Sequence, residues 1–488
     1  MLRRQFLFTA LAALPDTAET TAGRVRGARA NGVTVFRGIP YASQQRFQAP
    51  GPVTPWTGVR DCTQTGPRCV QGPGNIFLSP TIGEYFRGSA GRAELAAQPD
   101  SEDCLVVNVL TPSTRGKRPV MVYIHGGGFS AGSSHLTLFA DRFPPEQDVV
   151  LVGVNHRINV FGYLHLETAN IGQLDLIAAL EWVRANIGAF GGDPGNVTVF
   201  GESGGAAKIS ALLGMPAARG LFRRAIVESG SLLAVQTADE AAANTREVLA
   251  KVPLDRLKTL PPAELWRATN GMKTQPAVDG KSIPRQLWDG APVIDVPLII
   301  GCCKDETALF TLKDEALYSL DEKGLASRMP AAAMAAYKAE YPKATPSDIW
   351  FRYATDKDAR AKAIRQAQLQ IQKGKSPVYM YHFEWNTPLV DGKIRAFHTA
   401  ELPLAMRCVR FPESEPVSKA LAHNWAQFAR RGKPDWPAYT LNKRITMIFD
   451  APVSAPIPLR FPLSRRSHGF NDGLVPALVA QLKYKKKE

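Results

Sequence analysis

The chain lacks several features that would assign it to a class other than the large globular proteins. Its 488 residues contain no internal repeat, no low-complexity linker and no shift in composition that would mark a domain boundary. Beyond the N-terminal segment, no apolar run reaches the roughly 18 residues that a membrane-spanning helix needs. Although the length alone would suggest about three domains, the sequence therefore predicts one large domain over 19–488 without stable membrane insertion.

The cysteines lack the spacing of a metal site. The six are Cys62, Cys69, Cys104, Cys302, Cys303 and Cys408. They include no C-x-x-C pair and no Cys/His pattern typical of a metal-binding motif. We expect no metal, and buried free thiols are the simplest interpretation of Cys302, Cys303 and Cys408.

Acidic residues are fewer than basic ones, with 44 Asp and Glu against 59 Lys and Arg, and the formal net charge is +15. The excess is spread along the chain, and the only dense basic run is the tail "KYKKKE" at 483–488. No zinc-finger spacing or aromatic RNA-binding segment accompanies it, so we expect no nucleic-acid partner. A solvated basic surface that steers anionic substrates is the simpler interpretation. We expect a small-molecule substrate and a monomer or weak homo-oligomer.

The N-terminus has the pattern of a short export signal. Arg3 and Arg4 precede nine mostly apolar residues, Phe6 to Leu14, with the small-residue triplet 10–12 inside them. "RRQFL" resembles the twin-arginine type of leader. The pattern predicts a signal over 1–18 and an exported, periplasmic or secreted protein; a frayed amphipathic N-terminus on a cytoplasmic protein is the alternative.

Apolar strands alternate with helical segments along the rest of the chain. Segments 104–112, 118–129, 148–157, 196–200, 223–231 and 296–303 are predicted strands, and 174–190 and 206–215 are predicted helices. This alternation predicts an α/β fold with a largely parallel sheet covered by helices on both faces. Segments 235–290 and 311–375 are predicted helical insertions.

"FGESGGAA" at 200–207 places Ser203 between a predicted strand and a predicted helix. A nucleophilic serine on a sharp strand-to-helix turn requires small neighbours, and Gly201 and Gly205 provide them in the pattern G-x-S-x-G. The context predicts a nucleophile rather than an ordinary loop serine. The backbone N–H of Gly204 would then be one donor to an oxyanion.

The upstream segment "IHGGGF" at 124–129 follows a predicted strand. Three consecutive glycines allow several backbone N–H groups to converge on one point without obstruction by Cβ atoms. A phosphate-binding loop would require P-loop lysine spacing or G-x-G-x-x-G, and neither is present. The segment therefore predicts the rest of the oxyanion hole.

A histidine and a carboxylate should follow the serine in the chain. His398 in "AFHTAELP" lies in a predicted loop before an apolar helix and is the predicted base, with His468 and His382 as alternatives. Asp305 and Glu306 directly follow a buried strand, and either carboxylate could orient the imidazole.

Taken together, these segments resemble the type B carboxylesterases, the family that contains the cholinesterases and related lipases. The resemblance extends over nearly the whole chain, through "SEDCLVVNVLTP", "HGGGF", "FGGDP", "FGESGG", "CKDETALF" and "AFHTAELP". It implies the α/β-hydrolase fold, with a central mostly parallel sheet, flanking helices and long helical insertions.

The resemblance also implies roles for individual residues. Ser203 would be the nucleophile, His398 the base and Glu306, in preference to Asp305, the acid. Further implied roles are oxyanion donors at Gly127, Gly128 and Gly204, supporting positions at Glu202 and Ser229, and a disulfide between Cys69 and Cys104. Cys62 lies close enough in sequence to compete for that disulfide.

One departure from the family concerns the residue after the nucleophile, which is usually alanine and here is Gly204. Glycine keeps the N–H donor but loosens the turn, which raises the question of whether it widens the site for bulkier esters.

The sequence thus predicts a serine carboxylic-ester hydrolase that uses no metal or organic cofactor. The alternatives are a hydrolase of another acyl bond (amide, carbamate or lactone) and a non-catalytic adhesion-type relative of the same fold. The intact set of predicted catalytic residues disfavours the second alternative.

Overall fold

A computed structural model describes residues 16–72, 82–83, 85–86, 97–289 and 293–451, and the backbone of 457–458. The predicted signal lies mostly outside these residues. Its last two positions, Thr17 and Ala18, belong to the first strand and pair with Arg26 and Val25.

The described part of the chain contains sixteen strands, numbered here in chain order. They are β1 Thr17–Thr20, β2 Gly23–Arg26, β3 Ala28–Ala30, β4 Val33–Pro40, β5 Val59–Asp61, β6 Arg68–Cys69, β7 Asp100–Ser101, β8 Val106–Thr111, β9 Arg118–Ile124, β10 Val150–Val154, β11 Gly192–Glu202, β12 Arg224–Glu228, β13 Leu298–Cys303, β14 Val378–Phe383, β15 Ile445–Phe449 and β16 Ile457–Pro458.

Thirteen α-helices are described between these strands. They are α1 Phe143–Gln147, α2 Asn159–Tyr163, α3 Ile171–Asn186, α4 Gly204–Leu212, α5 Ala238–Lys251, α6 Leu254–Thr259, α7 Pro262–Thr269, α8 Glu322–Ala326, α9 Ala331–Glu340, α10 Pro346–Thr355, α11 Ala361–Lys373, α12 Glu401–Ala405 and α13 Glu415–Arg431.

The main sheet has eleven described strands in the order β16-β15-β14-β13-β12-β11-β9-β10-β8-β4-β3. Its centre, from β10 across to β15, is parallel, while β8, β4, β3 and β16 join in antiparallel pairs. Every residue of β10, β13 and β14 is buried, as expected where helices cover both faces of a parallel sheet. The predicted α/β architecture is confirmed, and the predicted insertions 235–290 and 311–375 contain α5–α7 and α8–α11.

The register of the parallel strands determines which loops meet. Gly201 on β11 pairs with Ile124 on β9, so the turn after β11 and the glycine loop after β9 leave the sheet side by side. Glu202 pairs with Glu228 on β12. Because parallel strands present their carboxyl ends at one edge of the sheet, that edge collects the loops that follow β9, β11, β13 and β14.

Candidate active site

Ser203 lies in the one-residue turn between β11 and α4. Its backbone has φ 54° and ψ −122°, a left-handed conformation that is strained for a residue with a side chain. Its N–H donates to Glu228 O at 2.8 Å, which holds the turn against β12. A Cβ on Gly205 would overlap with Ile124 O, so the second glycine of G-x-S-x-G is required by the close approach of β9.

His398 follows β14 in the loop that leads to α12, and its ring bridges two side chains. Its Nε2 lies 2.8 Å from Ser203 Oγ, and its Nδ1 is hydrogen-bonded to Glu306 Oε2. Ser203 is partly exposed, whereas His398 is 7% exposed and Glu306 is 5% exposed. The structure therefore brings the three predicted residues together in the order serine, imidazole, carboxylate.

Glu306 is fixed by hydrogen bonds of its own. Its Oε1 accepts from Cys303 N at 2.7 Å, and its N–H donates to Thr355 Oγ1 at 2.9 Å. Asp305, the alternative acid, lines a separate surface cavity of about 500 Å³ with Lys304 and other residues. Its N–H donates to Ala396 O at 2.9 Å, so its backbone supports the histidine loop.

Of the two alternative bases, His382 is buried on β14, and its Nδ1 lies 3.1 Å from Cys302 O. His468 lies outside the described residues.

The glycine loop after β9 presents unused donors beside Ser203. Gly127 and Gly128 have φ 85° and φ 61°, and Gly128 is exposed. Within the described residues, the N–H groups of Gly127, Gly128 and Gly204 donate no hydrogen bond; that of Gly204 has no partner because it begins α4. Three free donors beside a serine hydroxyl are suited to an oxyanion.

Gly204 leaves no extra space beside the glycine loop. A Cβ at this position would lie 2.5 Å from both Cα and N of Gly128. The backbone of the glycine loop fills the place of the missing methyl group. Glycine at this position therefore does not widen the site, because the backbone of Gly128 occupies the space that an alanine side chain would need.

Buried carboxyl groups lie close to His398. Glu202 Oε1 lies 3.3 Å from His398 Nε2. Burial alone would lower the pKa of His398, but Glu202 and then Glu306 outweigh it and raise the pKa to about 9. Burial in turn raises the pKa of Glu202 well above its usual value, although the charge of His398 opposes the shift.

Ser229 contacts this acidic group but not the histidine. Its Oγ donates to Glu401 Oε1 at 3.0 Å, and the hydroxyl of Tyr381 donates to the same oxygen at 3.1 Å. Cys303 Sγ donates to Glu401 Oε2 at 2.7 Å. Burial raises the pKa of Glu401, and Glu401 is itself one of the carboxyl groups that raise the pKa of His398.

Sequence reasoning missed Glu401 and Glu228. Glu401 is three residues after His398 at the start of α12, and that spacing in "HTAEL" was an available signal. Glu228 accepts from Trp425 Nε1 at 2.9 Å, a contact between β12 and α13 that no local pattern indicates.

Cys69 and Cys104, the predicted disulfide partners, are both buried free thiols here. They are hydrogen-bonded to each other, and this contact is the first cause of the raised pKa of Cys104. Cys62 is also a buried free thiol, and burial raises its pKa to about 11.

In the described part of the chain, no group of three or more His, Cys, Asp or Glu side chains is placed to hold a metal ion. No helix among the same residues has the length and apolar character that crossing a bilayer requires.

Comparison with known proteins assigns this chain to a family. The sequence profile of the Carboxylesterase family matches residues 15–451. The para-nitrobenzyl esterase of Bacillus subtilis is 36% identical to this chain, and the match covers 89% of this chain and 95% of that esterase. The phenmedipham hydrolase of Pseudarthrobacter oxydans is 32% identical to this chain, and the match covers 86% of this chain and 92% of that hydrolase.

Solved structures of esterases are also similar to this chain. The crystal structure of a Geobacillus stearothermophilus carboxylesterase matches with a TM-score of 0.74 and 36% identity, covering 89% of this chain and 96% of that one. An esterase from Clostridium hathewayi, described as able to hydrolyse aliphatic aromatic polyesters, matches with a TM-score of 0.75 and 30% identity, covering 98% and 99% of the two chains.

Proposed function

Because this chain belongs to the carboxylesterase family, we propose that it hydrolyses carboxylic esters through an acyl-enzyme on Ser203, with His398 and Glu306 completing the catalytic triad. The observation that carries this proposal is the continuous contact from Ser203 Oγ through both ring nitrogens of His398 to Glu306. The strained turn points the hydroxyl to the edge of the sheet where the free glycine N–H groups lie.

The reaction begins when Ser203 Oγ attacks the ester carbonyl and His398 Nε2 accepts the hydroxyl proton. The carbonyl oxygen becomes an oxyanion that accepts hydrogen bonds from the N–H groups of Gly127, Gly128 and Gly204. Glu306, bonded to Nδ1, keeps the ring in the tautomer that accepts at Nε2 and stabilises the imidazolium.

His398 then gives its proton to the alcohol oxygen, the C–O bond breaks, and the acyl group remains on Ser203. A water molecule attacks the acyl-enzyme while the same imidazole takes one of its protons. Collapse of the second tetrahedral intermediate returns this proton to Ser203 and releases the carboxylic acid. The balance is one ester and one water consumed, and one acid and one alcohol formed.

A panel of substrates with one acyl chain tests this proposal. We expect p-nitrophenyl butyrate to be hydrolysed much faster than the matching anilide, carbamate or lactone, and Ser203→Ala to lower kcat by roughly 10⁴-fold or more. Ser210→Ala, which changes a buried serine on α4, is the matched control. If an amide, carbamate or lactone were cleaved faster than the ester, hydrolysis of that bond would replace ester hydrolysis as the proposed function.

We propose in addition that the protein is exported and that Cys69 and Cys104 then form a disulfide. The support is the arginine-paired N-terminus and the direct contact of the two thiols. Peptide mapping without reduction of protein recovered from the periplasm or the medium should give a Cys69–Cys104 peptide. A Cys62–Cys104 peptide, or protein confined to the cytoplasm, would contradict the proposal.

A further inference from the structure

Lys208 is a fully buried cation that has no carboxylate partner among the described residues. It lies on α4, four residues after Gly204, so the two positions share one face of the helix. Its exposed fraction is 0%, and none of the ion pairs between described residues includes it. Buried charges are ordinarily paired, so this lysine requires another explanation.

The ammonium group instead bonds to the glycine loop. Lys208 Nζ donates to His125 O at 3.1 Å and to Gly128 O at 2.9 Å. It also lies 5.6 Å from the centre of the Phe129 ring, on which a cation is stabilised. The two carbonyl groups lie at the two ends of the run of three glycines. One side chain of α4 therefore bonds to both ends of the loop.

The ionisable groups around Lys208 are neutral imidazoles. The rings of His125 and His156 stack with their centres 4.3 Å apart. Burial lowers the pKa of His125 to about 3 and that of His156 well below its usual value, and the charge of Lys208 adds to both shifts. Burial also lowers the pKa of Lys208 to about 7.

Packing alone is a poor reason for a lysine here. An apolar side chain of similar length could fill the space without desolvating a charge. The glycine loop, however, contains two successive left-handed glycines and has much conformational freedom to lose. The missing Cβ of Gly204 lets Gly128 approach α4 closely, and Lys208 then fastens it there.

We propose that Lys208 is a positioning residue that fixes the glycine loop as the oxyanion hole by tying both ends of the loop to α4, the helix that begins directly after Ser203. The inference rests on the proposed function, because it assumes that the loop receives an oxyanion. Donors placed for the oxyanion stabilise the transition state more than the bound ester. Loss of Lys208 should therefore lower kcat and leave KM nearly unchanged.

The test compares Lys208→Met, which keeps the length and removes the donors, with Lys208→Gln, which retains an amide donor. Turnover of p-nitrophenyl butyrate and inhibition by an alkyl trifluoromethyl ketone, which forms an oxyanion adduct with the serine, are measured for each. For Lys208→Met we expect kcat to fall about 10- to 100-fold with KM changed by less than about threefold. Inhibition should weaken by the same factor by which kcat falls. For Lys208→Gln, both kcat and inhibition should lie between those of the wild type and those of Lys208→Met.

Ser210→Ala on the same helix is the matched control, because Ser210 bonds to Ala206 O and Gln366 and not to the glycine loop. It should change kcat by less than about twofold. If Lys208→Met does not fold, Lys208→Gln carries the same comparison.

Three results would overturn the inference: an unchanged kcat in folded Lys208 variants, an equal loss in Ser210→Ala, or a rise in KM without weaker inhibition. Wild-type protein that does not cleave the ester, or Ser203→Ala that still does, would instead refute the proposed function itself.

Discussion

Two sets of groups meet at Ser203. In the first, which we call the acidic side, the imidazole of His398 lies among the buried carboxyl groups of Glu202, Glu306 and Glu401. In the second, which we call the loop side, the glycine loop is hydrogen-bonded to the buried amine of Lys208. When Ser203 attacks a carbonyl, positive charge develops on the imidazole and negative charge on the substrate oxygen. The acidic side favours the first charge, and the loop donors with the nearby cation favour the second.

The acidic side is expected to give the largest effect. Glu306→Gln should lower kcat by roughly 10²- to 10⁴-fold, because the amide neither enforces the correct tautomer nor stabilises the imidazolium. Asp305→Asn is the matched control, because Asp305 precedes Glu306 but lines another cavity. Steady-state kinetics of both variants would measure the difference, and a larger loss in Asp305→Asn would reverse the assignment of the acid.

The loop side is tested by restoring a methyl group after the nucleophile. Gly204→Ala should lower kcat by about 10- to 100-fold, because the new Cβ must displace Gly128 and with it the oxyanion donors. Gly188→Ala, at an exposed glycine with no atom near its potential Cβ, should change kcat by less than about twofold. An unchanged kcat in folded Gly204→Ala would mean that the loop adjusts without loss.

The smallest effect concerns the pH dependence set by the acidic side. Since the pKa of His398 is raised to about 9, the neutral base becomes available as the pH rises, and kcat/KM should increase from pH 7 towards 9. Glu202→Gln removes a negative charge that stabilises the imidazolium, so the increase should move to lower pH by about one unit.

Asp305→Asn is the control for this profile, because Asp305 is a buried carboxyl group next to Glu306 and is not among the groups that shift the pKa of His398 or Glu202. Its profile should coincide with that of the wild type. An unshifted profile in Glu202→Gln would assign the raised pKa to Glu306 alone.

The sequence predicted what depends on local pattern. The parallel sheet and the elements on both sides of Ser203 follow from apolar runs separated by turn residues, although β11 begins at Gly192 and α4 begins at Gly204, outside the predicted limits. Ser203 and Glu306 could be named because each follows a predicted strand, and His398 because it lies in a predicted loop before an apolar helix. Glu306 was preferred to Asp305 only through the family resemblance.

Contacts between distant segments could not be predicted in the same way. Glu401 gains its role from Ser229 and Tyr381, which come from other parts of the sheet. Lys208 was visible as one charge in the apolar helix "AAKISALLGM", but its carbonyl partners depend on the register of β9 against β11. The position of Gly128 against Gly204 is likewise a matter of packing.

The central claim is that Ser203 becomes acylated, and covalent trapping tests it most directly. The protein would be treated with a fluorophosphonate, and the adduct would be located by mass spectrometry of its peptides, with Ser203→Ala treated in parallel. We predict a single adduct on the peptide that contains Ser203, formed as ester turnover is lost and absent from Ser203→Ala. An adduct elsewhere, or full loss of activity without modification of Ser203, would contradict the mechanism.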